Sequence, residues 1–217
     1  MSILSDKNLA AFDFDGVLAD TEPLHHRAKE IMAGRIGVKK QPDYEAFVGL
    51  PNKDFWLKVL TDNALSGLPV EELEKRQYEI ILKIAEDEKL KPTAGVEDLL
   101  DFLAGRGLSL AVCSSSVRFY LDKMMIILGL VGRFDFLVGG DEVPRKKPEP
   151  DVYLRALALT GLTADQSFAV EDSNAGTAAA VSAGYLTIGY LNPGSGAQDL
   201  SQAGRRVTTL AEIKDFF

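Results

Sequence analysis

The sequence predicts an α/β protein with a parallel-sheet core and an inserted α-helical domain. From Leu108 onward, short apolar runs alternate with helical patterns, and this alternation is typical of parallel strands joined by right-handed crossovers. Between Asp20 and Lys91 the apolar residues follow the helical period instead, and no convincing strand is found there. One apolar run precedes this stretch. We therefore predict a core domain over residues 1–19 and 92–217, with a helical domain over 20–91 inserted into it.

The core strands are predicted from short apolar runs bounded by polar residues, and each is interpreted as buried on both faces. In chain order the runs are Leu9–Phe12, Leu108–Cys113, Phe136–Val138, Ser167–Val170, Tyr185–Ile188 and a weaker one at Arg206–Thr208. Helical patterns lie between these runs, at Val96–Ala104, Val117–Leu128, Asp151–Thr160 and Ala175–Ala183.

Three apolar stripes at helical spacing predict a small helical bundle in the inserted domain. They consist of Leu24, Ala28 and Ile31, of Phe55, Val59 and Leu60, and of Leu73, Ile80, Ile81 and Ile84. Phe55 and Trp56 are interpreted as core residues of this bundle, although an aromatic residue at its edge would also suit a substrate pocket.

The composition disfavours several classes of partner. Of the 217 residues, 24 are Lys or Arg and 32 are Asp or Glu, so the net charge is −8 and attraction to nucleic acid or anionic lipid is weak. We find no signal-peptide pattern, and the longest apolar run, Met124–Val131, is far shorter than the ~18 residues that span a bilayer. The single cysteine, Cys113, excludes an intrachain disulfide. We expect a cytoplasmic protein with no nucleic-acid and no membrane partner.

Two carboxylates follow the first predicted strand. Asp13 and Asp15 come directly after Phe12, and Gly16 opens the loop that carries them. In open α/β sheets ligands bind beyond the carboxyl ends of the strands, so chemistry is expected at this loop. One carboxylate of such a pair can attack an electrophile while the other transfers protons. The residues alone leave a second interpretation open, in which Asp-x-Asp-Gly is only a turn.

A second acidic pair, Glu171 and Asp172, follows the strand that ends at Val170. If the two strands are neighbours, the acidic loops face each other and repel unless a cation lies between them. Carboxylate oxygens suit Mg²⁺, which binds through one or two carboxylates together with substrate phosphate and water. Asp172 or Ser173 also suits the N-cap of the following helix, and the two roles are compatible.

Two further segments favour a phosphate ligand. Ser114 and Ser115 follow the strand that ends at Cys113, where hydroxyls and free N–H groups at a helix N-terminus can bind an anion. Lys147 precedes Pro148 in a basic run of an otherwise acidic chain, and it can neutralise phosphate oxygens. Taken alone, the serines also suit a helix cap and the lysine a solvated loop. Their joint placement with the acidic pairs favours a common site.

Together these motifs resemble the haloacid dehalogenase superfamily, in its branch of small sugar phosphatases and β-phosphoglucomutase-like enzymes. Four motifs stand in the family's order: Asp13–Glu22, Ser114, Lys147–Asp151 and Glu171–Ser173. The resemblance spans nearly the whole chain and implies a Rossmann-like parallel-sheet core. The helical insertion between the first and second motifs resembles that family's cap domain, which closes over the substrate.

The resemblance implies a role for each motif residue. Asp13 is the nucleophile that forms an aspartyl-phosphate, and Asp15 is the general acid that protonates the leaving alcohol and then activates water. Ser114 and Lys147 hold the transferring phosphoryl group, and we include Ser115 in this phosphate-binding set. These groups stabilise the charge that develops on the phosphoryl oxygens.

The resemblance also implies Mg²⁺ as the cofactor. Its ligands are Asp13, Asp172 and the backbone carbonyl of Asp15, and Glu171 assists directly or through water. The dehalogenases and the cation-pumping ATPases resemble the first motif but lack an aspartate at the position of Asp15. Phosphoryl transfer to water or to an alcohol is therefore favoured over their reactions.

Hydrolysis and mutase action share this nucleophile and metal, and the cap distinguishes them. His25 lies where the mutases carry a histidine, and we include it among the substrate-binding residues. The cap segment Gly49–Lys53 lacks the arginine with which mutases bind a second phosphate. Lys53 substitutes poorly because lysine offers no bidentate fork. The sequence thus favours a phosphatase.

Our leading prediction is a monomeric, Mg²⁺-dependent phosphatase of a small phosphorylated metabolite, either a sugar phosphate or a polyol phosphate. The alternative is a β-phosphoglucomutase-like isomerase that returns the phosphoryl group to a bound sugar. A third hypothesis is a non-catalytic binding module on an enzyme-like fold, and the presence of all four motifs weighs against it.

Overall fold

The computed structural model describes residues 2–40, 42–44, 52–196 and 198–217. The chain divides into two compact units, one formed by Met1–Asp20 with Lys91–Phe217 and the other by Thr21–Leu90. We call them the core unit and the helical unit. Because the core unit takes its residues from both ends of the chain, the helical unit is an insertion in sequence.

The described residues of the core unit form a six-stranded parallel sheet. Its strands are β1 (Leu9–Phe12), β2 (Ser109–Cys113), β3 (Phe136–Val138), β4 (Ser167–Glu171), β5 (Leu186–Tyr190) and β6 (Arg205–Val207). Their order across the sheet is β3-β2-β1-β4-β5-β6, and every pairing is parallel. The predicted parallel α/β core is confirmed.

The described helices belong to both units, and those of the core unit pack on the sheet. In chain order they are α1 (Glu22–Arg35), α2 (Asn52–Asp62), α3 (Val70–Asp87), α4 (Val96–Gly105), α5 (Arg118–Ile127), α6 (Asp151–Thr160) and α7 (Asn174–Ser182). Two 3₁₀ segments lie at Ala164–Gln166 and Leu210–Phe216. In the part of the chain that the structure describes, no helix is both long and apolar enough to cross a membrane.

The central strand β1 is buried along its whole length. Leu9 and Ala11 belong to one apolar cluster with Tyr153 of α6 and Ala179 of α7. A strand that is covered on both faces can be apolar at every position, which explains its uninterrupted apolar run.

The prediction that each strand is buried on both faces is wrong for the two edge strands, β3 and β6. In β3, Phe136 and Leu137 are only partly buried, and in β6, Arg205 and Arg206 are exposed. The edge of the sheet receives less helical cover than its centre. Strand β5 also runs on to Tyr190 instead of ending at Ile188, because Gly189 still pairs with β4 and Tyr190 with β6.

The described part of the helical unit contains only helices and their connections, as its apolar spacing predicts. The buried face of α1 differs from the predicted stripe, however, and consists of Leu24, His25, Ala28, Lys29, Met32 and Ala33. Ile31, expected in the core, is 40% exposed. The buried face of α1 includes the polar side chains of His25 and Lys29, so its centre lies one residue further along the helix than the centre of the predicted apolar stripe. Ile31 then lies at the edge of the buried face.

The core of the helical unit forms around aromatic residues. Phe55 and Trp56 are fully buried and pack with Met32 and Val59, which confirms their interpretation as core residues. The Lys29 ammonium lies 4.9 Å from the centroid of the Phe55 ring, a cation–π contact that partly offsets the loss of hydration. Burial lowers the pKa of Lys29 below its ordinary value.

Candidate active site

The candidate site lies at the carboxyl ends of three adjacent strands. Asp13 follows β1, Ser114 follows β2, and Glu171 ends β4. Strand β1 pairs in parallel with β2 on one side and with β4 on the other, so the three carboxyl ends meet at one edge of the sheet. The expectation that the two acidic loops follow neighbouring strands is confirmed.

Three carboxylates gather at this edge. Asp13, Glu171 and Asp172 are each at least nine-tenths buried, and one carboxylate oxygen from each lies within 4.8 Å of the other two. Buried carboxylates at this spacing repel each other and favour a bound proton or a cation.

Lys147 supplies one positive charge to the cluster. Its Nζ lies 2.8 Å from Asp13 Oδ1 and 2.5 Å from Glu171 Oε1, and the side chain is almost entirely buried. Burial by itself lowers the pKa of Lys147, but the charges of Asp13 and Glu171 outweigh it and raise that pKa above its ordinary value. The lysine is therefore a fixed cation within the site.

The carboxyl groups of the cluster hold their protons more tightly than exposed carboxyls do. Burial, and then the charge of Glu171, raises the pKa of Asp13 to about 7. Burial, followed by the charges of Asp13 and Glu171, also raises the pKa of Asp172 well above its ordinary value. Lys147 lowers the pKa of both groups, but it does not compensate for these effects.

The residues of the cluster fit a divalent cation. Three ionised carboxylates and one ammonium leave a net charge of −2 (−3 + 1) in a buried site. The donor atoms are all carboxylate oxygens, the ligands that Mg²⁺ prefers. Lys147 contacts one oxygen of Asp13, and Ser195 contacts Oδ2 of Asp172, so each of these carboxylates keeps a second oxygen for a metal.

Asp15 lies beside the cluster and is half-buried. Its Oδ2 accepts a hydrogen bond from Ser116 Oγ at 2.7 Å, and its Oδ1 accepts one from Tyr120 Oη at 3.3 Å. Two hydroxyl donors thus hold the carboxyl group that the sequence analysis assigns to proton transfer. Neither donor was singled out in the sequence, because a third serine and a helical tyrosine have no distinctive spacing.

Gly16 makes the close approach of the two acidic loops possible. Its φ of +84° lies in the left-handed region, and a Cβ atom at this position would lie 1.9 Å from Asp172 Oδ2. Any other residue would therefore be strained and would collide with a carboxylate of the cluster.

The predicted phosphate-binding serines lie at the end of β2. Ser114 is buried, and its Oγ accepts a hydrogen bond from the backbone N–H of Ser116 at 3.0 Å, while Ser115 is half-buried. Within the described ranges, neither serine side chain is hydrogen-bonded to a carboxylate of the cluster. The structure brings Ser114 to the same sheet edge as Asp13.

The loop after β5 also contacts the site, which the sequence analysis did not anticipate. Ser195 Oγ donates to Asp172 Oδ2 at 2.5 Å, and Gln198 Nε2 donates to the Asp172 backbone carbonyl. Asn192 Nδ2 donates to the Gly16 carbonyl at 2.8 Å. The turn-rich composition of 192–196 indicates a loop, and only the position of β5 beside β4 shows what the loop meets.

A buried tyrosine in α6 completes the surroundings of Lys147. Tyr153 Oη donates to Glu171 Oε1 at 2.6 Å, and the Lys147 ammonium lies 5.2 Å from the centroid of the Tyr153 ring. Cys113, at the end of β2, is fully buried, and burial raises the pKa of its thiol to about 12. It is an inert core thiol, as its place at a strand end suggests.

The remaining predicted site residues belong to the helical unit. His25 is buried on α1, and its Nδ1 lies 3.3 Å from Gln77 Nε2. The segment Gly49–Lys53 falls partly outside the described residues, which resume at Asn52, and Lys53 is exposed on α2.

Metal binding to this cluster should stabilise the protein more at about pH 8 than at about pH 5. The raised pKa of Asp13 means that the folded protein holds a proton between about pH 4 and about pH 7 that the unfolded chain has lost. The free energy of unfolding of the metal-free protein therefore falls as the pH rises through this window. At the higher pH, fewer protons compete with a cation for the carboxylates of the cluster. Thermal unfolding with and without Mg²⁺ at both pH values measures the difference. An equal shift at both pH values would contradict the expectation, and Asp13→Asn should flatten the pH dependence.

Comparison with known proteins gives consistent matches. A family model described as haloacid dehalogenase-like hydrolase matches residues 10–190. A phosphorylated carbohydrates phosphatase of Thermotoga maritima is 32% identical over 188 residues, which cover 84% of this chain and 86% of that protein. Protein CbbY of Rhodobacter capsulatus is 30% identical over 211 residues and 92% of each chain. The crystal structure of CbbY from Rhodobacter sphaeroides with phosphate has a TM-score of 0.88 at 25% identity, covering 95% of this chain and 96% of that chain. A mutant of that protein was solved with xylulose-1,5-bisphosphate.

Proposed function

The chain belongs to the haloacid dehalogenase-like hydrolases, and from this premise we propose that it is a Mg²⁺-dependent phosphatase of small sugar or polyol phosphates. The observation that carries the proposal is the buried cluster of Asp13, Glu171 and Asp172 around Lys147. This arrangement offers a nucleophilic carboxylate, a cation site and a fixed positive charge at the carboxyl end of a parallel sheet. Phosphoryl transfer through an aspartyl-phosphate uses these three elements together.

Asp13 acts as the nucleophile of the first step. One of its oxygens bonds to phosphorus as the bond from phosphorus to the substrate oxygen breaks, and Asp15 gives its proton to the departing alcohol. The product is an aspartyl-phosphate on Asp13. In the second step Asp15 takes a proton from water, the water oxygen bonds to phosphorus, and inorganic phosphate leaves with Asp13 regenerated.

The other residues of the site stabilise the negative charge of the phosphoryl group or orient the Asp15 carboxyl group. Lys147 and Ser114 hold oxygens of the transferring phosphoryl group, and Ser115 contributes to the same anion site. Asp13, Asp172 and the backbone carbonyl of Asp15 would hold Mg²⁺, with Glu171 assisting directly or through water, and the ion would supply the remaining positive charge that the phosphoryl group needs. The hydrogen bonds from Ser116 and Tyr120 orient the Asp15 carboxyl group for both proton transfers.

The relatives support the substrate class. The Thermotoga maritima relative is named a phosphatase of phosphorylated carbohydrates, and the CbbY mutant was solved with a sugar bisphosphate. By analogy with this family we assign the helical unit the role of the substrate-selecting cap. A phosphorylated sugar therefore suits the proposed chemistry better than a phosphoprotein does.

The proposal is tested by ³¹P NMR of the purified protein with Mg²⁺ and a panel of sugar and polyol phosphates. Inorganic phosphate released in turnover, and lost in Asp13→Asn, supports the proposal. Conversion of β-glucose 1-phosphate to glucose 6-phosphate in the presence of glucose 1,6-bisphosphate, with little free phosphate, would instead establish a mutase. No metal-dependent turnover on the whole panel would favour a non-catalytic binding module.

Ser195→Ala should weaken Mg²⁺ binding about tenfold, the usual scale for a residue that orients a metal ligand. The variant removes the hydroxyl that fixes Asp172 Oδ2, so the carboxylate can rotate away from the geometry that the metal needs. Titration with Mg²⁺, followed by calorimetry and by activity, measures the change. Ser201→Ala is the matched control, because Ser201 lies exposed in the same region of the chain. Unchanged Mg²⁺ affinity in Ser195→Ala would exclude this positioning role.

A further inference from the structure

Glu171 is the most deeply buried carboxylate of the cluster, and its two oxygens have different partners. Oε1 accepts a hydrogen bond from Tyr153 Oη at 2.6 Å and another from Lys147 Nζ at 2.5 Å. Oε2 has, among the described residues, one long contact, with Ser173 Oγ at 3.4 Å. A carboxylate oxygen has two lone pairs for hydrogen bonds. Both lone pairs of Oε1 are therefore in use, and Oε2 is the oxygen that remains for a cation.

The orientation of this carboxyl group depends on its hydrogen bonds. The terminal torsion of a glutamate side chain is broad and roughly two-fold, so a half-turn exchanges Oε1 and Oε2 at little intrinsic cost. Lys147 cannot prevent the exchange by itself, because an ammonium on a flexible stem can bond either oxygen. The hydroxyl of Tyr153 is carried by a rigid ring and offers a single hydrogen. It is therefore the group that can distinguish the two oxygens of Glu171.

The ring of Tyr153 is itself held in place by the core unit. Its side chain is fully buried, and its centroid lies 5.2 Å from that of the Tyr185 ring. Tyr185 Oη donates to the Tyr153 backbone carbonyl at 3.0 Å. Side chains in such close-packed surroundings have little room to change rotamer. The Tyr153 hydroxyl thus stays beside Glu171.

Gly176 of α7 leaves the space that the carboxyl group of Glu171 occupies. A Cβ atom at position 176 would overlap the carboxyl carbon and both oxygens of Glu171. Gly176 lies within a helix, where alanine has the higher propensity. The lack of a side chain here is therefore explained by the close approach of Glu171 and not by a turn.

We propose that Tyr153 is a positioning residue, which holds Glu171 Oε1 so that Oε2 is the oxygen offered to the metal ion. The same arrangement keeps Lys147 between Glu171 and Asp13, with one of its three hydrogens not used by these carboxylates. Tyr153 acts only through Glu171. The proposal rests on the proposed function, since it takes the cluster to bind a divalent cation.

Calorimetric titrations with Mg²⁺ and with Ca²⁺ test the proposal without turnover. Tyr153→Phe is expected to weaken Mg²⁺ binding about tenfold or more, the usual scale for loss of a residue that orients a metal ligand. Ca²⁺ binding should weaken less, because Ca²⁺ accepts irregular coordination whereas Mg²⁺ demands near-octahedral geometry. A role in stability alone would not change the ratio of the two affinities. Equal losses for both ions, or an unchanged Mg²⁺ affinity in the folded variant, overturn the proposal.

Tyr185→Phe is the matched control. It also removes a buried tyrosine hydroxyl, but one that bonds a backbone carbonyl and not Glu171. It should lower the midpoint of thermal unfolding and leave the affinities for both ions unchanged. If it weakens Mg²⁺ binding as much as Tyr153→Phe does, the effect comes from the packing of the two tyrosines, and the positioning role is wrong.

A double-mutant cycle tests whether Tyr153 acts through Glu171. In the Glu171→Gln background, Tyr153→Phe should cause no further loss of Mg²⁺ affinity, because the carboxylate that the hydroxyl orients is already absent. A further loss as large as that in the unsubstituted protein overturns the proposal.

Gly176→Ala gives an independent test, which also serves if Tyr153→Phe does not fold. It should displace the Glu171 carboxyl group and weaken Mg²⁺ binding about tenfold or more, although it removes no hydrogen-bonding group. Gly105→Ala is its control, since Gly105 is a helical glycine of the same unit with open space around the position of a Cβ. Equal Mg²⁺ affinities in these two variants overturn the proposed placement of Glu171.

Activity separates this proposal from the proposed function. In an active enzyme, Tyr153→Phe should raise the Mg²⁺ concentration for half-maximal phosphate release about tenfold, and saturating Mg²⁺ should restore most of kcat. A kcat that stays low at saturating Mg²⁺ overturns a role confined to metal binding. An unsubstituted protein that binds Mg²⁺ but releases no phosphate from any substrate overturns the proposed function alone, because the titrations still decide the role of Tyr153. A protein that binds no Mg²⁺ overturns both.

Discussion

Asp13→Asn is expected to reduce phosphate release by about 10⁴-fold or more, as loss of a covalent nucleophile does in other enzymes. An amide nitrogen has no lone pair available for attack on phosphorus, and the amide oxygen is a poor nucleophile. The fold should be unaffected, because the amide oxygen can still accept the hydrogen bond from Lys147. One negative charge also leaves a cluster whose carboxylates repel each other. The metal-free variant should thus be at least as stable as the unsubstituted protein.

The measurement is ³¹P NMR of phosphate release combined with thermal unfolding. Asp6→Asn is the matched control, because Asp6 is an exposed carboxylate near the same strand, and its side chain contacts the neighbouring Lys7. If Asp13→Asn kept most of the activity in preparations free of contaminating phosphatases, the aspartyl-phosphate route would be wrong. If it lost activity and unfolded, the cluster would be needed for stability instead.

Lys147→Met is expected to destabilise the metal-free protein by about 3–5 kcal/mol, the usual cost of removing one partner from a buried ion pair. Lys147 is the ammonium that bonds both Asp13 and Glu171, and methionine fills similar space without its charge. The carboxylates are then left buried and unpaired, and they should take up protons. The variant should therefore recover stability as the pH is lowered or as Mg²⁺ is added. Its kcat should fall by about 10²–10³-fold through loss of charge stabilisation.

Chemical denaturation with and without Mg²⁺ gives the free energy of unfolding. Lys146→Met is a control of the same residue type one position earlier, where the side chain is less buried. Similar destabilisation in both variants would mean that the loop, not the charge, matters. A Lys147→Met protein as stable as the unsubstituted one in the absence of metal would contradict the net charge that we assign to the site.

Elements that depend on local periodicity were predicted well from the sequence. Helix α6 was predicted at Asp151–Thr160 and observed with the same bounds, because an apolar stripe lies between a proline and a glycine. The carboxylates of the cluster were found because each follows a buried strand. The buried face of α1 was predicted less well, since the polar His25 and Lys29 lie on it, and no apolar pattern marks a polar residue as buried.

The supporting residues of the site could not be predicted, because their roles depend on contacts between distant parts of the chain. Tyr153 looks like an ordinary aromatic residue of a helix, and its bond to Glu171 depends on how α6 lies against the sheet. Ser195 stands 23 residues after Asp172 in a turn-rich loop. Only the adjacency of β4 and β5 brings the two together. A serine in such a loop carries no local signal of that contact.

The order of strands in the sheet has a consequence for how the chain folds during its synthesis on the ribosome. Strand β1 leaves the ribosome first, yet its neighbours are β2, which begins at Ser109, and β4, which begins at Ser167. The intervening Thr21–Leu90 is one continuous stretch that forms its own compact unit, so it can fold while β1 still waits for partners. A nascent chain that ends before Ser167 carries Asp13 on a strand with at least one open edge, so wrong strand pairing at β1 is possible until β4 has been made.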